Sequence, residues 1–240
     1  MMGTQSSSDR LYVLTPSLRA RWCESLIQAI AGLQEDWVVT WYVSPNADGW
    51  DARLPPFARV LPIRFQGNTS LPRINQAREA LRCAAIGEPA SVVIWLDDDM
   101  VVDSSLLGQL ANLSNDHGAL AAPMMRNRHG DQYYTCAWLY QPEVRRQVGK
   151  VEEIHVSHFV YAPSTAPAGY PRQVSVHGVG LGCTAHPWEF LGRLSFPATA
   201  IPDDERLSLL YYYDHPGSIV LDYGLHARHR GAEGDRISDG

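Results

Sequence analysis

Along this chain, short blocks of apolar residues alternate with longer stretches in which apolar positions recur every three or four residues. Leu11-Tyr12-Val13-Leu14-Thr15-Pro16 reads as a strand running into a loop. Leu18 to Leu33 has helical spacing, with Trp22, Leu26, Ile27 and Ile30 on one face and Gly32 near its end. Trp37 to Val43 reads as a second strand, closed by Ser44-Pro45-Asn46-Ala47-Asp48-Gly49, and Arg59 to Arg64 as a short third. From Leu71 a helix is expected, with Leu71, Ile74, Ala77, Leu81 and Ala85 facing inward and Gly87-Glu88-Pro89 stopping it.

The next run is Ser91-Val92-Val93-Ile94-Trp95-Leu96-Asp97-Asp98-Asp99-Met100. It is short and β-branched and does not alternate with polar residues, so it predicts a strand covered on both faces. Ser104 to Leu113 then reads as a helix, with Ser104 as its cap. The second half is less regular. Ala119 to Met125, Tyr133 to Tyr140, Ser157 to Tyr161 and Ile219 to Tyr223 read as strands, His186 to Gly192 as a short helix, and Asp203 to Tyr213 as a longer one. Pro163 to Pro171 is a loop, and Gly178-Val179-Gly180-Leu181-Gly182-Cys183 is dense in glycine.

Strand and helix thus alternate through the first half. This is the signature of an α/β fold with a mixed, mostly parallel central sheet flanked by helices. Residues 1–9 and 231–240 read as polar, frayed ends. The rest reads as one domain, residues 10–230, divided into halves at 10–113 and 114–230.

Composition narrows the functional classes. The 240 residues are 45% hydrophobic, enough for a sizeable core. A net charge of −6 argues against nucleic acid as the partner, because binding along a phosphate backbone needs a basic stripe. Cys23, Cys83, Cys136 and Cys183 are far apart and fit reduced thiols. The N-terminus has no apolar signal core, and no segment approaches the length that spans a bilayer. The expected location is cytoplasmic, with peripheral membrane contact still open.

The chemistry concentrates after the buried strand. In open α/β sheets, ligands bind beyond the carboxyl ends of the strands, where Asp97, Asp98 and Asp99 fall. Three adjacent carboxylates repel one another, and a hard divalent cation relieves that repulsion. The bland alternative, acids favoured by a turn, explains one Asp better than three.

With these residues in view, the chain resembles the GT-A class of nucleotide-sugar glycosyltransferases, in particular the inverting, family 2-like enzymes. Arg73-Ile74-Asn75-Gln76-Ala77-Arg78-Glu79-Ala80-Leu81 is similar to the helix before the metal strand. Asp97 and Asp99 match the Asp-x-Asp positions. Gly178 to Cys183 is similar to the glycine-rich stretch before the acceptor site, and Pro202-Asp203-Asp204-Glu205 to an acidic pair at a helix start. His226, in Leu225-His226-Ala227-Arg228-His229, stands where the family often has a late histidine on the metal, with His229 as a rival.

The resemblance implies a Rossmann-like GT-A domain that moves a sugar from a nucleoside-diphosphate donor to a glycan or other hydroxyl acceptor with Mn²⁺ or Mg²⁺. It implies Asp99, Asp97 and His226 as the metal set. It sets Thr15, Asp48, Arg73, Asn75, Asp97, Asp98 and Arg228 against the nucleotide sugar, and Gly180, Gly182 and Trp188 against the acceptor. It makes Asp204 the base, with Asp203 as second choice. Read from the residues alone, Asp203 or Asp204 is equally a helix cap, Asp48 beside Gly49 a turn residue, and Trp188 a core aromatic. Two other functions are compatible with the pattern: a nucleotidyltransferase acting on a sugar phosphate, and a non-catalytic carbohydrate- or nucleotide-binding scaffold. The first of these usually has a loop rich in glycine and lysine after the first strand, where this chain has Thr15-Pro16-Ser17-Leu18-Arg19.

Overall fold

The computed structural model describes residues 10–18, 23–45, 54–63, 70–129, 132–135, 137–140, 145–148, 151–154, 159–163, 166–196 and 218–229. The run that ends in the acids forms strand β4 (Val92–Leu96), and all five of its side chains are buried. Its apolar character is unbroken because both faces are covered. Val92, Ile94 and Leu96 point into one core, and Val93 and Trp95 into another.

Helices α1 (Cys23–Ala31) and α3 (Ser104–His117) cover the first core, through Leu26, Ile30, Leu106, Leu107 and Leu110. Helix α2 (Ser70–Ala85) and a 3-10 helix at Trp188–Arg193 cover the second, through Leu81, Ala85, Phe190 and Leu191. Trp95 is wholly buried and meets Phe196 edge-on at 5.2 Å. Truncating a ring packed in this way to alanine typically costs about 3–5 kcal/mol.

Strand β4 pairs in parallel with β1 (Arg10–Leu18), β1 with β2 (Val38–Pro45), and β2 with β3 (Ala58–Val60). This parallel half is the α/β arrangement expected from the alternation of patterns. On the other side of β4 the sheet changes sense. The remaining strands among the described residues are β5 (Met100–Val101), β6 (Leu120–His129), β7 (Gln132–Thr135), β8 (Ala137–Tyr140), β9 (Arg145–Val148), β10 (Val151–Ile154), β11 (Phe159–Tyr161), β12 (Gln173–Ser175), β13 (Gly178–Val179), β14 (Cys183–Pro187) and β15 (Ile219–His229). Strand β14 runs antiparallel between β4 and β6, and β15 lies parallel to β6. The spatial order of the main path is β12-β15-β6-β14-β4-β1-β2-β3. Strands β11, β8 and β13 form a small second sheet, and β9 and β10 pair as a hairpin.

Several local expectations shift. The cap of α3 is Asp103, one residue earlier than Ser104, and its Oδ1 accepts from the Leu106 N–H at 2.8 Å. The helix expected over His186 to Gly192 is instead the end of β14 followed by the 3-10 helix, because Cys183, Thr184, Ala185 and His186 are needed as a fully buried strand. The third strand covers Ala58–Val60, earlier and shorter than expected. Strand β15 extends to His229, well beyond Tyr223. The helix expected over Asp203 to Tyr213 lies outside the described residues. Among the described residues, no helix is long and apolar enough to cross a membrane.

One buried polar contact ties β14 to β4. Trp95 Nε1–H donates to His186 Nε2 at 3.0 Å, so His186 Nδ1–H is left to donate to the Pro187 carbonyl at 2.8 Å. Both ring nitrogens are used by the neutral imidazole. Burial accordingly pushes the His186 pKa down to about 4. The unfolded chain binds this proton below about pH 6.5, whereas the folded chain resists it until about pH 4. Stability from this group is therefore present above pH 6.5 and lost as the pH falls toward 4. Urea unfolding between pH 7 and 4 is expected to show a loss on the order of 3 kcal/mol that His186→Gln lacks. Equal pH slopes in the two proteins would refute this assignment.

Candidate metal centre

Beyond Leu96 the chain turns sharply, and the Met100 N–H donates to the Asp97 carbonyl at 3.2 Å. It re-enters the sheet as β5, which pairs antiparallel with the end of β15. In that register His229 lies opposite Met100, and Arg228 opposite Val101. Backbone pairing thus carries an imidazole from the far end of the chain to the residue next to Asp99. His229 Nδ1 lies 3.6 Å from Asp99 Oδ2. Asp97, Asp99 and His229 each offer one ligand atom, and these atoms lie within 4.8 Å of one another. Atoms that share one ion at bond lengths near 2.1–2.2 Å are separated by at most about 4.4 Å. The group is close to that spacing, and two carboxylate oxygens with one imidazole nitrogen are a donor set that can hold a divalent cation.

Asp97 is held from several sides. Its N–H donates to the Gly182 carbonyl at 2.8 Å. Its Oδ1 accepts from Arg78 Nη2 at 3.0 Å. A Cβ on residue 182 would come within 3.3 Å of Asp97 Oδ2 and 3.5 Å of Met100 Sδ, so glycine leaves the carboxylate its room. Arg78 comes from the buried face of α2, between Ala77 and Leu81, and its side chain is only 4% exposed.

The choice between the two late histidines is made by a bulge. Strand β15 is in register with β6 up to Asp222↔Pro123 and resumes at His226↔Met124, so four steps on β15 match one on β6. Three extra residues are an odd number, and an odd insertion reverses the alternation of a strand. Ile219, Leu221 and Tyr223 point into the core under α2, whereas Leu225 and Ala227 point into the core under α1 and α3. His229 shares the face of Leu225 and Ala227, and His226 and Arg228 are exposed on the other.

Asp222 holds the bulge. It is buried and accepts from Arg172 Nε at 2.8 Å, Gln173 Nε2 at 3.0 Å and the Gly224 N–H at 2.7 Å. The Arg172 guanidinium lies where a Cβ on residue 224 would stand, which explains the glycine.

The other expected site residues fare differently. Thr15 is wholly buried, and its hydroxyl accepts from Trp41 Nε1 at 3.0 Å, so it belongs to the core. Asp98 is turned inward at 3% exposure and is not in the ligand group. Arg73 is exposed and Asn75 buried on the first turns of α2, upstream of Arg78 on the helix that reaches Asp97. Gly182 lies against Asp97, and Gly180 is buried between β13 and β14.

Trp188 stands at the wrong end of the sheet to meet the acids. Its N–H donates to the Ser91 carbonyl and its indole to Ala85, at the amino end of β4. Roughly 20 Å of extended strand, from Ser91 to Asp97, separate that contact from the acids. Asp48, Asp203 and Asp204 lie outside the described residues. Arg78 is absent from the residues expected at the site. Its signal in the sequence is an arginine in phase with the apolar face of Ala77, Leu81 and Ala85.

No family model matches this chain, and no curated protein matches it in sequence. Among solved structures it is similar to residues 1–349 of Staphylococcus aureus TarS in complex with UDP-GlcNAc, with a TM-score of 0.56 and 11% identity, over 96% of this chain and 61% of that one. It is similar to glucosyl-3-phosphoglycerate synthase from Mycobacterium tuberculosis in complex with Mg²⁺ and UDP, with a TM-score of 0.51 and 17% identity, over 93% of this chain and 72% of that one. A mycobacterial protein aligns with a TM-score of 0.51 and 16% identity over 93% of this chain and 68% of its own. The chain spans less than two thirds of the TarS fragment. The fold is the GT-A fold.

The two histidines are separable by experiment. In a Mn²⁺ titration followed by electron paramagnetic resonance, His229→Ala is expected to weaken binding by about tenfold or more. His226→Ala should leave it unchanged, and the reverse order would overturn the assignment of His229 to the group.

Proposed function

We propose that this chain is a nucleotide-sugar glycosyltransferase that works with a divalent cation, Mn²⁺ or Mg²⁺, and inverts the anomeric centre. The observation that carries the reading is the Asp97, Asp99 and His229 group at the carboxyl edge of the sheet, within a GT-A fold. The UDP-sugar and the Mg²⁺–UDP bound to two structural neighbours support a uridine nucleotide donor.

In this mechanism Asp99 and His229 would hold the cation, which would supply charge neutralisation for the departing diphosphate. The imidazole favours Mn²⁺ modestly over Mg²⁺. Asp97, kept in place by Arg78 and the Gly182 backbone, accepts hydrogen bonds from hydroxyls of the donor. Gly182 leaves the donor room to approach. The acceptor hydroxyl attacks the anomeric carbon from the side opposite the diphosphate. Its proton passes to a carboxylate, which we assign to Asp204, with Asp203 as the alternative, from their place in the sequence. Thr15 and Trp188 have no part in this scheme: Thr15 is wholly buried against Trp41, and Trp188 makes its contacts at Ser91 and Ala85, away from the acids.

Transfer and donor hydrolysis with UDP-sugars and Mn²⁺ test the reading. Asp99→Ala should lower turnover by on the order of a hundredfold, while Asp204→Asn should lower turnover and leave UDP binding intact. Metal-dependent activity that is equal in Asp99→Ala and the wild type would sink it. So would a protein that binds no nucleoside diphosphate in the presence of Mn²⁺.

A further inference from the structure

This inference rests on the reading of Asp97, Asp99 and His229 as a cation site, and it concerns what sets His229 in that group. The imidazole reaches Asp99 because the end of β15 pairs with β5, with His229 opposite Met100. Between that rung and the regular part of β15 lies the insertion that follows Asp222. With one residue fewer in it, Arg228 would stand opposite Met100. With one more, the residue after His229 would stand there. Either slip takes the imidazole out of the group. The site therefore needs an insertion of fixed length.

The insertion is clamped from β12 and the residue before it. The buried Asp222 carboxylate gathers Arg172 Nε at 2.8 Å and the Gly224 N–H at 2.7 Å on Oδ1, and Gln173 Nε2 at 3.0 Å on Oδ2. The Arg172 carbonyl accepts from the Tyr223 N–H at 2.8 Å. Arg172 thus holds Tyr223 with its backbone and Asp222 with its side chain, while Asp222 holds Gly224. The N–H groups of two residues within the insertion are fixed in this way. Glycine at 224 leaves the guanidinium its place. Asp222 itself lies outside the ligand group.

We propose that Asp222 is a positioning residue for the cation site, acting through His229. Its carboxylate fixes the length of the insertion, and Arg172 fixes the carboxylate. A link runs from the edge strand β12 to the imidazole beside Asp99. The role is one of bond geometry rather than charge. Asparagine at 222 keeps an oxygen for Arg172 and Gly224, and its amide can donate to a Gln173 side chain turned over to present its own oxygen. Alanine keeps none of the three bonds.

The experiment follows Mn²⁺ bound with UDP to the full chain by pulsed electron paramagnetic resonance. It reads the affinity together with the nitrogen modulation that a coordinated imidazole imposes. The wild type should show the modulation, and His229→Ala should abolish it. Asp222→Ala should remove most of the modulation and weaken Mn²⁺ binding by about fivefold or more. Asp222→Asn should keep the modulation and stay within about twofold of the wild type. In a His229→Ala background, Asp222→Ala should cost less than about twofold further, because a residue that acts through the imidazole has nothing left to position. Losses that add in the double variant would overturn the proposal. So would wild-type affinity and modulation in Asp222→Ala, or an Asp222→Asn as weak as Asp222→Ala.

If Asp222→Ala does not fold, Arg172→Ala decides, since that side chain is 59% exposed and its removal leaves the core intact. It should weaken Mn²⁺ binding about threefold or more and have little effect in the His229→Ala background. Wild-type affinity in Arg172→Ala, or an equal loss in both backgrounds, would overturn the proposal. A wild type that binds no Mn²⁺ with UDP, or binds it without nitrogen modulation, would overturn the reading of the site itself. A wild type with modulation that His229→Ala removes, but whose Asp222 and Arg172 variants fail the predictions, would overturn only the role of Asp222.

Discussion

The register of β4 between β1 and β14 is the constraint on which this site depends. Leu11 to Leu14 pair with Val92 to Trp95 on one side, and Cys183 to Pro187 pair with Leu96 to Val92 on the other. The last rung joins the Asp97 N–H to Gly182. A strand held along both edges and buried on both faces cannot slide or rotate. Its end therefore presents Asp97 and Asp99 at one fixed place. The same rung brings the glycine-dense stretch against the acids, which gives Gly182 its reason to lack a side chain.

Two aspartates, Asp222 buried and Asp97 partly exposed, show how differently one residue type is used. Asp222 accepts three hydrogen bonds within the protein and so is spent on structure. It stabilises the irregular turn of backbone in β15, and that turn decides which residues of the strand's end face the acids. Asp97 accepts from Arg78 and keeps a second oxygen beside a glycine. A buried ion pair of the Arg78–Asp97 kind adds little to stability once desolvation is counted. What the pair supplies is a fixed orientation for the Asp97 carboxylate, which a hydrophobic replacement of equal volume would not.

The parts of the site legible in the sequence are those in which chemistry and local structure coincide. Asp97 and Asp99 follow directly from a buried strand that ends in acids, and Gly182 from a cluster of glycines. Arg78 was visible within the motif of α2 but carried no local mark of its partner. Thr15 and Trp188 illustrate the opposite error. Each is a residue type that binds ligands elsewhere, yet the core claimed Thr15 through Trp41, and the amino end of β4 claimed Trp188 through Ser91 and Ala85.

By itself the sequence determined the alternation of strands and helices in the first half, because periodicity and burial on both faces are local properties of a segment. It also determined where the acids would emerge. Only the tertiary structure decided that β14 enters antiparallel beside β4, that Arg78 reaches Asp97, and that His229 rather than His226 stands by Asp99. The physical reason is the same in each case. Pairing between distant strands, and an odd insertion that reverses a strand's alternation, depend on contacts between segments far apart in the chain, and the pattern of a single segment carries no record of them.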